Sequence, residues 1–421
     1  MGDSTRAANQ GTVDIQNPTV NPFAIRQDAH INFSLEDFEI SSDDIPSFGQ
    51  KCSFTIQKRT TNYLLTNLKL QFSLPAITTS ETGVTGATWI NWVNSIGHAL
   101  IKSVVIKSGN STLDTHTGAF LEMWNELTVD SNNPYNNFIG KYKHGPPRNT
   151  TSISAKKFSV QLQFWFCRGA TGRENTDATS LALPIGWLQQ NMQLELDIEN
   201  AYNLLYTNGT ITNGSVNTAL TNCKLIAEYA VLDLNAIDDS NELTEASQQF
   251  YEDYQQQITF VQRTSFSGTA TAGGTKDVDW KNFDSSLTEL LWYIQKQKSD
   301  GASRQDRFKF SYYGGNILSD CSVEINNDSI SVNLPAEHFC KIAPLTAGHK
   351  VPRKKVHVYP FSILPSKFSN PSGFYNVSEA TQTKLVLTFS SFTGAYEGEI
   401  YALGRKIIFI SGGNFITQDI T

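Results

Sequence analysis

The sequence predicts an all-β chain built as two sandwich domains. Three observations lead there. Apolar and polar residues alternate with period two over several stretches, which gives each one face for a core. Gly, Asn, Pro and Ser clusters bound these stretches, as turns bound the strands of antiparallel sheets. A polar, acid-rich stretch just past the middle of the 421 residues has strand-rich sequence on both sides. It divides the chain into halves of about 200 residues, a size that sandwiches with long loops reach.

Taken in order, residues 1–23 read as a polar N-terminal arm, with Gly, Asn and Pro and no apolar run. The first domain spans 24–234. In it CSFTIQ (52–57) and SVVIKS (103–108) are strands. Leu68, Leu70, Phe72 and Leu74 share one face and Asn67, Lys69, Gln71 and Ser73 the other, until Pro75 ends the run. TGAFLEMWNELT (117–128) is a helix, because Phe120, Met123, Trp124 and Leu127 fall on one stripe. FSVQLQFWFC (158–167) reads as a strand with Phe164 and Phe166 on one face and Trp165 on the other, so one of those faces meets something beyond its own sandwich. Met192, Leu194, Leu196 and Ile198 alternate with Gln193, Glu195, Asp197 and Glu199, and KLIAEYAVLDL (224–234) closes the domain. Residues 235–244 are the linker. A helix is expected over 241–258, with Glu242 and Glu245 at its start and Leu243, Phe250, Tyr254 and Ile258 near one face. The second domain spans 245–421, with strands at RFKFSYYG (307–314), SVEIN (322–326), Leu385–Leu387–Phe389 and KIIFIS (406–411). Long polar insertions at 76–90, 130–155, 169–180 and 203–221 have the length of loops that bind, lock or cover.

Charge and motifs exclude several functions. With 33 Lys and Arg against 40 Asp and Glu, the net charge of −7 is the wrong sign for a nucleic-acid coat. Lys350, Arg353, Lys354 and Lys355 form the compact basic cluster, read here as a solvated loop. No apolar run reaches the roughly 18 residues of a membrane span, and the N-terminus has no signal-peptide core. Cys52, Cys167, Cys223, Cys321 and Cys340 are odd in number and widely spaced, as reduced thiols are. Cys321, His338, Cys340 and His349 lack the close pairs of a zinc site and read as two buried thiols and two surface imidazoles. SGTATAGGTK (267–276) has Gly274 where a phosphate loop needs lysine. No nucleophile elbow is present. The chain is therefore read as no enzyme, with no catalytic residue, cofactor or metal ligand. Asn32, Asn110, Asn149, Asn208, Asn213, Asn327 and Asn376 head N-x-Ser/Thr triplets, glycan acceptors only for a chain that meets the glycosylation machinery.

One stretch is more specific. WVNSIGHALIKSVVIKSGNSTLDTHTGAFLEMWNELT (92–128) resembles a signature of the major capsid proteins of large eukaryotic DNA viruses, with Trp92, Gly97 and His98 before its strand and Asp114, Glu122, Trp124, Asn125 and Glu126 in and before its helix. LQFWFCR (162–168), with Phe164 and Trp165, is similar to a second family segment, here with a longer insert between Arg168 and Leu183. PSGFYNVSEATQTKLVLTF (371–389) resembles a third, with Glu379 where arginine is common, and EIYALGRKIIFISGGN (399–414) resembles the closing strand pair, with Gly413 where methionine is usual.

The resemblance implies a double jelly roll, two eight-stranded antiparallel β-sandwiches with short helices in loops and linker. It implies homotrimers that form pseudo-hexameric capsomers and tile an icosahedral virion shell. It further implies neighbouring minor capsid and vertex proteins, an internal membrane beneath the shell, assembly in the host cytoplasm or virus factory, and no direct nucleic-acid contact. Two alternatives stand beside it: a minor or vertex capsid component, and a carbohydrate-binding jelly-roll module using Tyr142, Tyr202 and Tyr206 as platforms. Trp124, Phe164, Trp165 and Trp187 are read as core aromatics ahead of subunit anchors.

Overall fold

The computed structural model describes residues 33–81, 83–168, 182–212, 220–232, 254–284, 286–297, 307–311, 315–365 and 372–420. The arm, the linker 235–244, the insert 169–180 and most of the helix expected over 241–258 lie outside these residues.

Sixteen principal strands fall into two sets of eight. The first set is β1 (Phe33–Ser41), β2 (Lys51–Ile56), β3 (Tyr63–Leu74), β4 (Ile101–Ser108), β5 (Ser111–His116), β6 (Lys156–Gln161), β7 (Met192–Ile198) and β8 (Thr221–Leu232). It forms two antiparallel sheets, β1-β8-β3-β6 and β2-β7-β4-β5. The second set is β9 (Gln255–Ala270), β10 (Thr275–Asp279), β11 (Ser286–Lys296), β12 (Leu318–Ile325), β13 (Asp328–Pro335), β14 (His357–Pro360), β15 (Thr383–Phe389) and β16 (Gly394–Ser411). Its sheets run β9-β16-β11-β14 and β10-β15-β12-β13, the same order with every strand number raised by eight. Among the described residues no strand of one set pairs with a strand of the other. Each set is a jelly roll, called here the first and the second roll.

The half-buried strands follow the alternation of their sequences. In β7, Met192, Leu194, Leu196 and Ile198 are buried and the residues between them are only half-buried, and β15 behaves the same way. The insertions 76–90, 130–155 and 203–221 clip together by short ladders: Ile77–Thr78 with Ser152–Ile153, Val84–Thr85 with Thr210–Ile211, and Ile90–Trp92 with Leu205–Thr207.

Three expectations are corrected. Gln255–Ile258 is not helical: it opens β9, whose sixteen residues pair without interruption against β16, and this long ladder overrides local helix preference. FSVQLQFWFC is strand only to Gln161. Beyond it the chain curls, with Cys167 N–H donating to the Phe164 carbonyl at 2.8 Å, and Phe164, Trp165 and Phe166 are all buried instead of dividing between two faces. Residues 307–311 of RFKFSYYG form no strand: Phe308 and Phe310 are buried in the core that joins the two rolls, and Phe310 takes φ 48°.

The described residues form two cores. One lies inside the second roll and holds Leu290, Trp292, Ile294, Ile400 and Ala402. The other fills the first roll and continues into the second through Val261, Leu291, Tyr293, Tyr401 and Leu403. Strands β11 and β16 therefore contribute to both cores, one from each face. This is why SLTELLWYIQK shows no alternation.

Candidate functional site

The densest polar chemistry of the molecule lies where the rolls meet, around α1 (Gly118–Thr128). Thr117 caps this helix, its Oγ1 accepting from Phe120 N–H at 3.2 Å. Gly118 is fixed by crowding: a Cβ there would sit 2.1 Å from the His98 carbonyl oxygen and 2.5 Å from that of Ile101. The helix is buried from Gly118 to Leu127, its acids included.

Glu122 is fully enclosed. Ser95 Oγ donates to its Oε1 at 3.0 Å, His98 Nδ1 lies 2.8 Å from Oε2, and the ammonium groups of Lys141 and Lys354 lie 3.0 and 2.7 Å from Oε1. One turn on, Glu126 meets Lys141 at 2.7 Å and accepts the backbone N–H of Arg353 at 2.8 Å. Asn125 accepts from Lys141. The Lys350–Lys355 segment is solvated only in part: Lys350 and Arg353 are exposed, but Lys354 and the backbone of the segment are bound to α1. It is drawn onto α1, with the Lys350 N–H on the Leu127 carbonyl at 2.8 Å, because two buried carboxylates need cations and donors. Burial alone would raise the Glu122 carboxyl, but Lys141, Lys354 and His98 hold it well below the ordinary carboxylate value. Burial lowers His98, against the pull of Glu122 and with Lys141 and Lys354 adding to the lowering.

A second cluster lies along β5. The Asp114 carboxylate accepts Val261 N–H of β9 at 3.0 Å and pairs with His116 Nε2 at 3.0 Å, with the Arg168 guanidinium 3.9 Å away. Burial would raise Asp114; His116, Arg168 and the Val261 N–H bring it below its usual value. Thr117 Oγ1 and the Tyr401 hydroxyl are hydrogen-bonded across the junction. Trp124 meets His349 edge-on at 5.8 Å, and His349 Nε2 lies 2.9 Å from Glu289, so His349 is buried and not a surface imidazole. At the rim, the ion pairs Arg263–Glu399 and Arg307–Glu199 line an open crevice of about 710 Å³.

The residues of the expected signature are all buried in the single chain, but not all together. His98, Trp124 and Asn125 belong to the junction, and Phe164 stacks on His116 at 4.8 Å. Gly97 is packed under β6, where a Cβ would lie 2.9 Å from Val160 Cγ2 and 3.0 Å from Ile139 Cα. Trp92 stacks on Phe48 in the loop layer and Trp165 meets Phe166 edge-on at 5.2 Å. Trp187 is half-buried. Lys141, His116, Arg168, Glu289 and His349 as junction residues were not visible in the sequence pattern. The usable signal was Glu122 and Glu126, acids one turn apart on a helix otherwise built for a core.

Asp114, Glu122 and Glu126 are each matched to a fixed cation or donor, which suits a clasp between the rolls. Cys52, Cys167, Cys321 and Cys340 are buried, and burial pushes the Cys52 thiol up to about 12. The described residues contain no group of three or more His, Cys, Asp or Glu arranged for a metal. Asn110, Asn149 and Asn327 are exposed in turns and loops. The Asn208 carboxamide accepts from Thr88 N–H at 3.0 Å and that of Asn376 from Ser378 N–H at 3.0 Å, while Asn32 and Asn213 lie outside the described residues.

Two rolls of one strand order, joined side by side through a buried polar seam, define the double jelly-roll class. Within it, residues 23–254 match the model of the major capsid protein N-terminus and residues 158–407 that of the large eukaryotic DNA virus major capsid protein. The chain belongs to this family, whose members build the icosahedral capsids of these viruses. It is 24% identical over 400 residues to the major capsid protein of Pyramimonas orientalis virus, covering 88% of this chain and 87% of that one. Its fold is similar to a chain of the PBCV-1 capsid (TM-score 0.72, 18% identity, 95% and 100% covered) and to the Faustovirus major capsid protein (TM-score 0.73, 12% identity, 97% and 96% covered).

Proposed function

We propose that this chain is the repeating shell subunit of its virion and works as a homotrimer, three pairs of rolls forming a six-lobed, pseudo-hexameric capsomer. The observation that carries this reading is the identical strand order of the two rolls. Two like lobes per chain let three chains close a near-sixfold ring through heterologous contacts. In this reading the roles divide along the chain: 24–234 and 245–421 are the lobes and 235–244 the linker. Trp92, Gly97, His98, Trp124, Asn125, Phe164 and Trp165 hold the lobes in shape and in register. Partners are copies of the chain first, then minor capsid and vertex proteins, with a membrane beneath the shell. The virion assembles in the host cytoplasm or virus factory. The subunit catalyses nothing and needs no cofactor.

Light scattering tests this. The purified chain should give about 140 kDa, three times 46.7 kDa, and hold it on dilution; a stable monomer would overturn the reading. In the same measurement, a chain lacking residues 1–23 should remain trimeric and fail to form shells, as expected if the arm orders only on assembly; normal shells would remove that role from the arm.

A further inference from the structure

Resting on the trimer reading, the structure assigns the contact between copies: the outer face of the β1 edge strand on the first roll receives β13 and the segment His338–Thr346 on the second roll of the next copy.

The argument runs from the junction inside one chain. There the first roll presents β5 and the helix that follows it, α1. The second roll presents the outer face of β9 and β16, with Val261, Tyr401 and Leu403. Raising strand numbers by eight turns β5 into β13, and α1 into the helical segment between β13 and β14, which is His338–Ile342 with Ala343–Thr346. Lowering them by eight turns β9 and β16 into β1 and β8. Each chain thus holds one completed junction and the two unmatched halves of another.

Both halves carry large exposed apolar side chains, grouped on one strand face and one turn, whereas others such as Ile45 and Ile363 stand singly in loops. On the second roll Val332 of β13 is 66% exposed, and Ile342 and Leu345, three residues apart on one turn, are 54% and 59% exposed. On β1, Phe33 and Leu35 are 61% and 52% exposed, on the face turned away from Phe38 and Ile40, which pack on the core. Their counterparts at the completed junction, Val261 on β9 and Phe120 and Trp124 on α1, are buried. β1 is also an edge strand, with β8 as its one partner, and an edge with exposed apolar side chains calls for cover.

Charge agrees. The outer face of β1 carries Asp37 and Glu39, the latter paired with Lys224, and no base, whereas residues 341–355 carry Lys341, Lys350, Arg353, Lys354 and Lys355, with Glu337 the acid just before them. Lys354 is used within the chain on Glu122, and Lys341 and Lys355 on Glu337. Lys350 and Arg353 are exposed beside the apolar turn, where the acids of a neighbouring β1 complement them. The occupant is therefore a second copy of this chain, and repeating the contact three times closes the ring.

Analytical ultracentrifugation of the full chain with Ile342→Asp and Leu345→Asp, and separately with Phe33→Asp and Leu35→Asp, tests the assignment. Each pair should shift the sedimenting species from trimer to monomer with the circular dichroism spectrum unchanged. Ile363→Asp, at an equally exposed position beyond the far end of β14, should leave the trimer intact. Trimers retained in both double variants would overturn the assignment and leave the trimer reading standing; a monomeric parent chain would overturn the trimer reading itself. If an aspartate variant fails to fold, cross-linking decides. A chain with Leu35→Cys and Leu345→Cys, treated with a short bismaleimide, should give covalent dimers and trimers on a denaturing gel, and each single variant only background. Background alone from the double variant would overturn the assignment.

Discussion

The two rolls share one strand order and are finished in opposite ways. In the first, the helix after β5 runs eleven residues and is buried to its acids. In the second, the segment after β13 is a π turn and a single helical turn with Ile342 and Leu345 in solvent. The sheets differ in the reverse sense. The second roll's sheet is covered on its outer face around Ile258, Val261, Leu291, Tyr293, Tyr401 and Leu403, whereas β1 leaves Phe33 and Leu35 bare. A chain built from two equivalent lobes satisfies the join between them internally and leaves its mirror role open at both ends. The difference also teaches where charge is used. The internal join holds buried ions at fixed positions, Glu122 with Lys141 and Lys354, and Asp114 with Arg168. The open halves are apolar with charge at their margins, as suits surfaces that meet water before they meet each other.

The largest effect is expected from breaking the internal join at its most enclosed charge. Glu122→Gln keeps the shape and removes the charge, so Lys141 and Lys354 lose a carboxylate they share and Glu126 must balance both. Uncompensated buried charge of this kind costs about 3–5 kcal/mol, a large part of the roughly 5–15 kcal/mol that holds a domain. Urea unfolding should show the loss directly; a midpoint within error of the parent would mean that the seam is hydrated and the carboxylate unimportant.

A smaller effect separates the two rolls by pH. His98, in the first roll, is lowered by burial but pulled back by Glu122. His357, in the second, is stacked on Trp292 at 5.4 Å and lowered to about 4, by burial first and then by Lys355, against a hydrogen bond with the Trp292 backbone. The unfolded chain binds a proton on this imidazole below pH 6.5 and the folded chain only near 4. Its contribution is therefore complete above pH 6.5. It falls by about 1.4 kcal/mol per pH unit on acidification, to a total of about 3 kcal/mol near pH 4. His357→Phe keeps the stacking and removes the proton, so its unfolding free energy should fall less between pH 6.5 and 4 than that of the parent. Parallel curves would show that His357 is not the titrating group.

How much of this was legible follows from burial. Strands β3, β7 and β15 declared themselves because one face is buried and the other is not, which is the condition for alternation. β11 did not, because Leu290 and Trp292 serve one core while Leu291 and Tyr293 serve the other. The curl at Phe164–Cys167 was hidden for the same reason: all its aromatics are buried, so nothing in their order marks the end of β6. At the junction, the acids of α1 stood out as a pattern, but their cations come from Lys141 and Lys354, and no periodicity links a loop of one roll to a loop of the other. Within the basic cluster, Lys354 looked solvated like Lys350 and Arg353 because its partner acid Glu122 is distant in sequence.

The smallest effects come from two glycines, one from each roll, and they sharpen the contrast between a closed surface and an open one. At Gly118 an added methyl meets the carbonyl oxygens of His98 and Ile101, backbone atoms at the start of β4 that move only if α1 lifts from them. Overpacking of this kind costs about 1–3 kcal/mol. At Gly273, in the turn between β9 and β10, nothing lies within 4 Å, and the cost is confined to φ +70°, about 1 kcal/mol for a residue with a Cβ. Gly118→Ala should therefore lower the unfolding midpoint more than Gly273→Ala. It should also disturb the environment of Trp124, one helix face away, in near-ultraviolet circular dichroism, which Gly273→Ala leaves unchanged. Equal midpoints with an undisturbed Trp124 would mean that the start of α1 has slack. The close approach of α1 to the His98–Ile101 segment would then count for little in the stability of the first roll.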